Sequence, residues 1–385
     1  MTQVTPTSRA KPFQTPLALL GGLSVQDFMG QYWQRQPLVI RGALNAATLL
    51  PSRAQLFAMA NREEVESRLV QQHPKKGWTF KRGPFNRLPA QSLPEWTLLV
   101  QGVDLHHPGA HALMQMFRFI PDARIDDVMI SWASDQGGVG PHTDRYDVFL
   151  LQVHGTRRWR LAPPADYALV PGMPLKIIDG YQYEQEFILE PGDMLYLPPM
   201  WAHEGVAMGG DCMTASVGFT VPEAGDLARE LATRMAEHWE DEELYEDADQ
   251  LPTREPARVP AEMLAFARQS LTRMFKEPQA LACALGEWLS EPKPQVWFEA
   301  SDSEWGQGDM VLDHKTKMMF DTHHVFINGE GFVAQGHDAQ CLRELANQRC
   351  IKESVWRSMG SDALAVMAQW HELGWLHMTK TGVSD

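Results

Sequence analysis

Residues 124–160 read RIDDVMISWASDQGGVGPHTDRYDVFLLQVHGTRRWR, and this stretch places a His-x-Asp triplet between a glycine-rich turn and an apolar run. The triplet spans His142 to Asp144 and follows Gly-Gly-Val-Gly-Pro directly. We predict one strand over residues 141–153, and side chains on a strand alternate between its two faces. His142 and Asp144 would then point the same way, so a nitrogen and an oxygen ligand could reach one metal ion.

A third candidate ligand, His203, comes just after Leu-Pro-Pro-Met-Trp-Ala. The segment LEPGDMLYLPP over residues 189–199 predicts a Pro-Gly turn that leads into an apolar strand ending at two prolines. A small β-barrel would carry the chain across at this point and bring His203 to its mouth. Two imidazoles and one carboxylate can form the facial triad that binds non-haem Fe(II) and leaves coordination sites open.

A cationic side chain follows the triplet. Arg157 comes after the predicted strand and a predicted turn at Gly155, so we expect it on the neighbouring strand. Its guanidinium could bind a dicarboxylate end-on through two parallel hydrogen bonds. Asp127, Met129 and Ser131 share one face of the strand before the glycine-rich turn. The pattern therefore predicts a carboxylate and a hydroxyl near the same cavity.

The order of these motifs resembles the JmjC branch of the cupin-type 2-oxoglutarate oxygenases. More narrowly, it is similar to the bacterial ribosomal oxygenases that hydroxylate an arginine of large-subunit ribosomal protein L-sixteen. The matching segments span about the first 220 residues and are QYWQRQPLVIRGAL, VESRLV, GPF, RIDDVMIS, GGVGPHTDRYDVF, GTRRWR, LEPGDMLYLPP, HEG and SVGF. The later parts of the chain follow the family layout more loosely.

This resemblance implies a set of site residues and cofactors. The implied iron ligands are His142, Asp144 and His203. It implies that Arg157 and Ser131 bind the distal carboxylate of 2-oxoglutarate, with molecular oxygen as the other cosubstrate. It also suggests that Asp127 and Tyr146 form walls of the pocket for a substrate arginine. Many JmjC relatives have lysine where Arg157 stands, whereas the ribosomal branch has arginine.

Composition favours a cytoplasmic protein with a basic partner. The net charge of −15 disfavours a nucleic-acid partner, which would need a basic footprint, and favours a basic substrate such as a ribosomal protein. The apolar runs are too short for a membrane span, and the N-terminus lacks the apolar part of a signal peptide. The four cysteines show no C-x-x-C spacing, which is typical of reduced, buried thiols.

We predict a mixed α and β fold in three parts. Residues 1–222 would form a double-stranded β-helix of the cupin/JmjC jelly-roll type with N-terminal helices. Residues 223–291 would form a helical region whose surplus apolar surface suggests a homodimer interface, which the resemblance also implies. Residues 292–385 have helices and a terminal β-wing, as in a winged helix. Acids outnumber bases there, so we predict a protein-contact module rather than a nucleic-acid reader.

Several local predictions accompany this architecture. We predict helices over residues 53–70, 96–103 and 110–119, with Pro108 and Gly109 interrupting helical structure. The strand over residues 214–219 is predicted to lie beside the one that ends at His203. Trp159 is predicted to belong to the core rather than to a substrate platform.

The predicted function is hydroxylation of an arginine side chain, at C-3, in ribosomal protein L-sixteen. Two alternatives stay open at this point. One is a JmjC hydroxylase with another protein target, for example a histidyl residue, because two or three side chains could separate the two pockets. The other is a cupin-like binding protein whose metal is structural or absent. Arg157 and Ser131 argue against it, since a structural metal site needs no dicarboxylate clamp.

Overall fold

The computed structural model describes residues 13–73, 77–301 and 304–379. The chain divides into two compact units, Met1–Val221 and Pro222–Asp385. None of the helices in the described ranges has both the length and the apolar character that crossing a membrane requires.

The first unit is built around β-strands. Its strands are β1 (Leu38–Ile40), β2 (Ser67–His73), β3 (Gly77–Arg82), β4 (Trp96–Val100), β5 (Ile125–Ala133), β6 (His142–Thr143), β7 (Asp147–Ala162), β8 (Gln185–Leu189), β9 (Met194–Leu197) and β10 (Ala202–Phe219). Its α-helices are α1 (Val25–Gln31), α2 (Arg53–Met59) and α3 (Pro108–Gln115). Short 3-10 helices lie at Ala18–Leu20, Val103–Leu105 and Asp122–Arg124.

The ten strands form one antiparallel sheet in the order β1-β9-β7-β10-β5-β4-β2-β3, with β6 paired to β10 and β8 paired to β7. The long strands β7 and β10 pair from Ala162 and Ala202 at one end to Asp147 and Phe219 at the other. Because β6 also pairs with β10, the beginning of β10 is held between two strands. His203 lies in this part of β10, opposite His142 on β6.

The two faces of β5 have different environments. Alternate residues pack into the main apolar core, namely Val128, Ile130 and Trp132. The residues between them line a cavity, namely Asp127, Met129 and Ser131. This two-residue alternation follows from strand geometry, so the prediction that these three residues share one cavity-facing side is confirmed.

The single strand predicted over residues 141–153 is wrong. The chain leaves the ladder after β6 and rejoins it three residues later at the start of β7. In the interruption, the carbonyl of Asp144 accepts a hydrogen bond from the backbone N–H of Met200 at 2.7 Å. This bond gives the backbone a partner outside the ladder and joins the two ligand-bearing segments of the chain.

The predicted turn at Gly155 is also wrong, because β7 runs through this residue without reversing. Gly155 has φ +66°, and an added Cβ would lie 2.8 Å from the carbonyl oxygen of Asp211. On the opposite strand, β10 shifts register between Met208 and Met213. Gly155 therefore lies opposite an irregularity in the pairing with β10, while strand β7 itself continues through it. Arg157 lies farther along β7.

Four further local predictions need correction. Residues 214–219 belong to β10 itself rather than to a neighbouring strand. The helix predicted over residues 53–70 ends at Met59, and residues 96–100 form β4. Residues 67–70 belong to β2, which pairs with β3 and β4, and β4 in turn pairs with β2 and β5. In both places strand pairing outweighs the local preference for helix. Pro108 begins α3 instead of interrupting a helix, since proline is tolerated in the first helical turn.

The second unit combines helices with two small sheets. Its helices are α4 (Ala224–Glu237), α5 (Ala261–Lys276), α6 (Ala280–Ser290), α7 (Gly336–Gln348), α8 (Glu353–Trp356) and α9 (Ser361–Glu372). Its strands are β11 (Met310–Leu312), β12 (Met318–Phe320), β13 (His324–Ile327), β14 (Glu330–Val333), β15 (Cys350–Ile351) and β16 (Leu376–Met378). The sheet orders are β15-β11-β16 and β12-β13-β14.

Helix α6 packs directly on the β12-β13-β14 sheet. A Cβ added at Gly286 would lie 2.2 Å from the ring of Phe326, so only glycine fits this contact without a shift. The backbone N–H of Gly329 donates to the Ser290 hydroxyl at 3.1 Å, which joins the helix end to the β13–β14 turn. All four cysteines are free, and Cys350 is exposed, so the prediction of buried thiols is wrong for that residue.

Candidate metal and cosubstrate site

Three potential metal ligands converge at the beginning of β10. His142 on β6 and His203 on β10 are register partners, and their ring centroids lie 4.3 Å apart. Asp144 Oδ2 lies 3.8 Å from His142 Nε2 and 3.5 Å from His203 Nε2. One ligand atom from each side chain lies within 4.8 Å of the other two. Within the described ranges, no other group of three His, Cys, Asp or Glu residues comes together in this way.

Backbone carbonyls orient both imidazoles. His142 Nδ1 lies 2.8 Å from the carbonyl oxygen of Gly140, and His203 Nδ1 lies 2.9 Å from that of Trp201. A carbonyl can only accept, so each Nδ1 is the donor in these bonds and each Nε2 is the nitrogen left to face a metal. The two Nε2 atoms are the ones that approach Asp144. Such hydrogen bonds fix the tautomer and ring orientation of metal-binding histidines.

Burial keeps His203 in the form that binds metals. Its side chain is buried, and this desolvation, together with neighbouring His142, lowers the pKa of His203 to about 4. The imidazole is therefore neutral at physiological pH, as a ligand must be. Two imidazoles and one carboxylate fit a divalent first-row metal such as Fe(II), with positions left for other ligands.

The three side chains line one end of a cavity of about 330 Å³. Its walls come from β2 to β7, from β10 and from the connection between β7 and β8. Residues predicted for every role line this cavity together, namely His142, Asp144, His203, Arg157, Ser131, Asp127 and Tyr146. The sequence-based prediction that these residues share one site therefore agrees with their positions.

Arg157 is the buried cation of this cavity, which Arg68 and Lys176 also line. Only 4% of its surface is exposed, and its Nε and Nη2 atoms have no hydrogen-bond partner among the described residues. Its guanidinium carbon lies 5.8 Å from the centroid of the Trp159 ring, and no carboxylate pairs with it in the described part of the chain. A buried guanidinium with unsatisfied donors is energetically costly, and an incoming carboxylate would offset that cost.

Ser131, on β5, is buried and lines the same cavity as Arg157. Its hydroxyl donates to the carbonyl oxygen of Thr214 at 3.5 Å, the upper limit of a hydrogen bond. The oxygen lone pairs and a rotatable hydroxyl are thus available to a ligand. Ser131 and Arg157 therefore both present donors to the same cavity.

The residues predicted to receive a substrate arginine have different environments. Asp127 is buried, and its Oδ2 accepts the backbone N–H of Gly102 at 3.0 Å. Tyr146 keeps 39% of its surface exposed, but its hydroxyl bonds to Asp144. Desolvation, followed by the charge of Asp144, raises the pKa of Tyr146, so the phenol stays protonated. This wall of the cavity therefore combines carboxylates with an aromatic ring, which suits a guanidinium.

Some contributors were not found from the sequence. Trp159 belongs to an apolar cluster, as predicted, but it also lines the cavity, and its ring centroid lies 6.0 Å from that of His203. The connection between β7 and β8 supplies Leu175, Lys176 and Ile177 to the cavity wall. No periodicity marks this connection, and only the folded chain brings it to the metal ligands.

Comparison with known proteins identifies the architecture. The JmjC domain family matches residues 112–227, which include all three candidate ligands. The ribosomal protein uL16 3-hydroxylase of Escherichia coli K12 is 36% identical over 292 residues, covering 76% of this chain and 78% of that protein.

Solved structures agree with this relationship along nearly the whole chain. The X-ray structure of E. coli YcfD superposes with a TM-score of 0.82 at 30% identity, covering 92% of this chain and 98% of the other. A structure of the same ribosomal oxygenase in complex with cobalt and 2-oxoglutarate superposes with a TM-score of 0.78 at 29% identity, covering 91% and 97%.

Proposed function

The chain belongs to the JmjC-domain ribosomal oxygenases, and we propose that it hydroxylates C-3 of an arginine side chain in ribosomal protein uL16. The reaction uses Fe(II), 2-oxoglutarate and molecular oxygen. One observation carries the proposal: three ligands for a metal share a cavity with a buried, unpaired guanidinium. A binding protein with a structural metal would gain nothing from such a guanidinium.

His142, Asp144 and His203 would hold Fe(II) through the two Nε2 atoms and a carboxylate oxygen. When bound, the iron allows one oxygen atom of O2 to enter succinate, with loss of carbon dioxide from 2-oxoglutarate, and the other to enter the substrate C–H bond. Apolar side chains, including Val148, Leu150 and Trp159, form part of the cavity lining and would limit the access of water to the bound reactants. Dry surroundings strengthen the electrostatic contacts that orient the reactants.

The positive charge of buried Arg157 determines where 2-oxoglutarate would bind. Arg157 would form two parallel hydrogen bonds to the distal carboxylate of 2-oxoglutarate, and Ser131 would add a third donor. This contact satisfies the buried Nε and Nη2 atoms and neutralises both partners. Its role is to orient 2-oxoglutarate, so that the opposite end of the molecule reaches the metal.

The substrate arginine would lie against Asp127 and Tyr146. The Asp127 carboxylate, whose Oδ2 accepts the Gly102 N–H, would supply the negative charge that pairs with the guanidinium. A Cβ at Gly218 would come within 3.7 Å of Asp127 Oδ1, so glycine leaves room beside the carboxylate. Tyr146, with its exposed ring face, would cover the guanidinium plane.

Asp127→Asn tests this substrate pocket. Asparagine retains an oxygen acceptor for Gly102 but loses the negative charge. We expect the KM for a uL16 fragment to rise by roughly 10- to 100-fold, because a hydrogen bond to a charged group contributes about 1.5–3 kcal/mol. Calorimetric affinities for Mn(II) and 2-oxoglutarate should stay unchanged.

Asp135→Asn is the matched control for that substitution. Asp135 also accepts a backbone N–H, from Gly209 at 2.8 Å, but it is exposed and does not line the cavity. Its replacement should leave the KM within twofold of wild type. Equal KM values for the two variants would remove Asp127 from the substrate pocket.

The direct test of the proposed activity uses purified protein, Fe(II), 2-oxoglutarate and recombinant uL16. We expect succinate release and the addition of one oxygen atom to one arginine of uL16, both absent without Fe(II). Tandem mass spectrometry of the labelled peptide identifies the residue and carbon. Succinate release with modification of a histidine in another ribosomal protein would replace the proposed substrate while retaining the oxygenase.

We also propose a homodimer formed through the helical region of residues 223–291. Apolar side chains on α5 remain exposed, namely Met263, Leu264, Leu271 and Phe275, and Leu281 of α6 is exposed as well. Each of these is at least 44% exposed, and water-facing apolar side chains at this density are typical of protein interfaces. The isologous pairing of two such helices would cover them.

Leu271→Asp should dissociate this dimer. A charge in the centre of an apolar interface loses its hydration without a partner, so the dimer should weaken by at least about 100-fold. Light scattering after size exclusion measures the mass. Gln269→Asp, on the opposite side of the same helix, should leave the mass unchanged; a monomeric wild type would refute the dimer.

The remaining assignments follow from the substrate. A ribosomal protein substrate and the absence of a membrane-spanning helix in the described ranges suit a cytoplasmic enzyme. We propose that residues 292–385 act as a winged-helix-like module that contacts protein rather than nucleic acid. The acidic balance of the whole chain, −15, supports a basic protein partner.

A further inference from the structure

Residues 163–184 connect β7 to β8, and this connection, the 163–184 segment, lies over the metal-binding end of the sheet. It contains no regular strand, only an isolated bridge between Leu169 and Ile178. Three of its residues line the cavity, namely Leu175, Lys176 and Ile177. Two of its hydrogen bonds to the rest of the fold fall on residues next to the histidine ligands, namely Pro141 and Ala202.

The first contact is beside His142. The backbone N–H of Ile178 donates to the carbonyl oxygen of Pro141 at 2.8 Å. One residue earlier in the same turn, Gly140 has φ +78°, and its carbonyl oxygen orients the imidazole of His142. The 163–184 segment therefore bonds to Pro141, the residue between Gly140, whose carbonyl orients the imidazole, and His142 itself.

Side-chain packing reinforces this contact. A Cβ added at Gly140 would lie 2.6 Å from Cδ1 of Ile177 and 3.0 Å from the Trp78 ring. These two side chains pack against Gly140, the residue whose carbonyl bonds to the His142 imidazole, so a larger residue at position 140 would displace one of them. Ile177 is buried at this contact.

The second contact is beside His203. The Tyr181 hydroxyl lies 2.8 Å from the carbonyl oxygen of Arg160 and 3.2 Å from that of Ala202, the residue before His203. Burial raises the pKa of Tyr181, so the hydroxyl remains a donor. Ile178 packs in one apolar cluster with Ala202. The same short segment thus contacts the residue that precedes each histidine ligand.

The segment has internal bonds that hold it in one shape. Val170 donates to the carbonyl of Ile177 at 2.9 Å, and Asp179 donates to that of Ala168 at 2.8 Å. Tyr167 donates its hydroxyl to the carbonyl oxygen of Pro163 at 2.6 Å, within the segment. A segment that its own hydrogen bonds hold in one conformation can restrain the residues it contacts, because little further conformational entropy is lost when those contacts form.

We propose that the 163–184 segment sets the position of both histidine ligands, with Ile177 and Tyr181 as positioning residues for the metal. The inference rests on the proposed metal site. It assigns to a connection outside the ladder the contacts that hold the backbone next to each histidine, one step beyond the carbonyls that bond to the two imidazoles. Losing a direct partner of a ligating histidine typically lowers metal affinity 10- to 100-fold, and we expect an effect at the lower end of that range here.

Tyr181→Phe, compared with Tyr167→Phe, tests this inference. Both changes remove one hydroxyl that bonds to a backbone carbonyl, both rings pack on the same cluster, and only Tyr181 reaches the ligand strand. The metal-free full-length proteins are titrated with Co(II), and binding is followed by ligand-field absorption. Melting temperatures are measured for the same samples.

We expect Tyr181→Phe to weaken Co(II) binding by about 10-fold and Tyr167→Phe to change it by less than twofold. The two melting temperatures should fall by similar amounts, since each variant loses one comparable hydrogen bond. Co(II) affinity within twofold of wild type for Tyr181→Phe would overturn the proposal. Wild-type protein that binds no Co(II) would instead refute the metal site itself.

Ile177→Ala gives a second, independent measurement. It uncovers Gly140 without removing a hydrogen bond, and we again expect Co(II) affinity to fall by about 10-fold. Leu169→Ala, an exposed position in the same segment, is its control and should bind as wild type. Equal affinities for these two variants would overturn the role of Ile177, whether or not Tyr181→Phe folds.

Discussion

Replacing His203 with alanine is expected to abolish metal binding and to lower turnover by at least about 1,000-fold, because the remaining two ligands cannot hold a catalytic metal. His142→Ala and Asp144→Ala should behave alike, since all three ligand atoms lie within 4.8 Å of one another. The measurements are Co(II) titration of the metal-free protein and succinate release with Fe(II) restored.

His154→Ala is the control for these variants. His154 lies on β7, is largely exposed, and its Nε2 is 3.4 Å from Asp211 Oδ2, away from the cavity. It should retain full activity and metal affinity. A His203→Ala protein that folds and still binds Co(II) with wild-type affinity would exclude the three-ligand site.

Arg157→Gln is expected to weaken 2-oxoglutarate binding by roughly 30- to 1,000-fold, because removing one partner of a buried charge pair costs about 2–4 kcal/mol. Metal affinity should change little, since Arg157 is not a ligand. The metal-loaded variant should also lose the rise in melting temperature that 2-oxoglutarate gives the wild type, because ligands stabilise only the state they bind.

Arg158→Gln provides the comparison on the adjacent residue. Arg158 points to the other face of β7, with its Nε 4.0 Å from Glu186, and it does not line the cavity. Its affinity for 2-oxoglutarate should match that of wild type. An Arg157→Gln protein whose 2-oxoglutarate affinity stays within twofold of wild type would contradict the proposed anchor.

The site residues were predictable because their chemistry is distinctive and their local spacing survives in the fold. His142 and Asp144 lie two residues apart, and β5 keeps the alternation that brings Asp127 and Ser131 to one face. The identity of the residues and the family resemblance were sufficient for those assignments. They required no knowledge of how the strands pair.

The connections between these residues were not predictable, because they depend on tertiary pairing. The prediction of a single strand after Pro141 failed at Asp144, whose carbonyl bonds to Met200, a residue distant in sequence. The sequence predicts a turn at Gly155, yet this residue lies within the continuous strand β7, opposite a register shift in β10. Glycine permits both outcomes, and only the partner strand decides between them.

The same limit applies to the helix predictions that failed. Residues 96–100, WTLLV, contain side chains that suit either a buried helix or a buried strand. Pairing with β2 and β5 on both sides selects the strand. The role of the 163–184 segment was hidden for a related reason, since its contacts with Pro141 and Ala202 join parts of the chain that sequence patterns treat separately.

The most direct test of the central claim is mass spectrometry of uL16 from ribosomes of a strain that lacks this gene. The account predicts that one arginine of uL16 loses the mass of a single oxygen atom in that strain. The wild-type gene should restore this mass, and the His203→Ala gene should not. An arginine that carries the extra oxygen regardless of the gene would contradict the account.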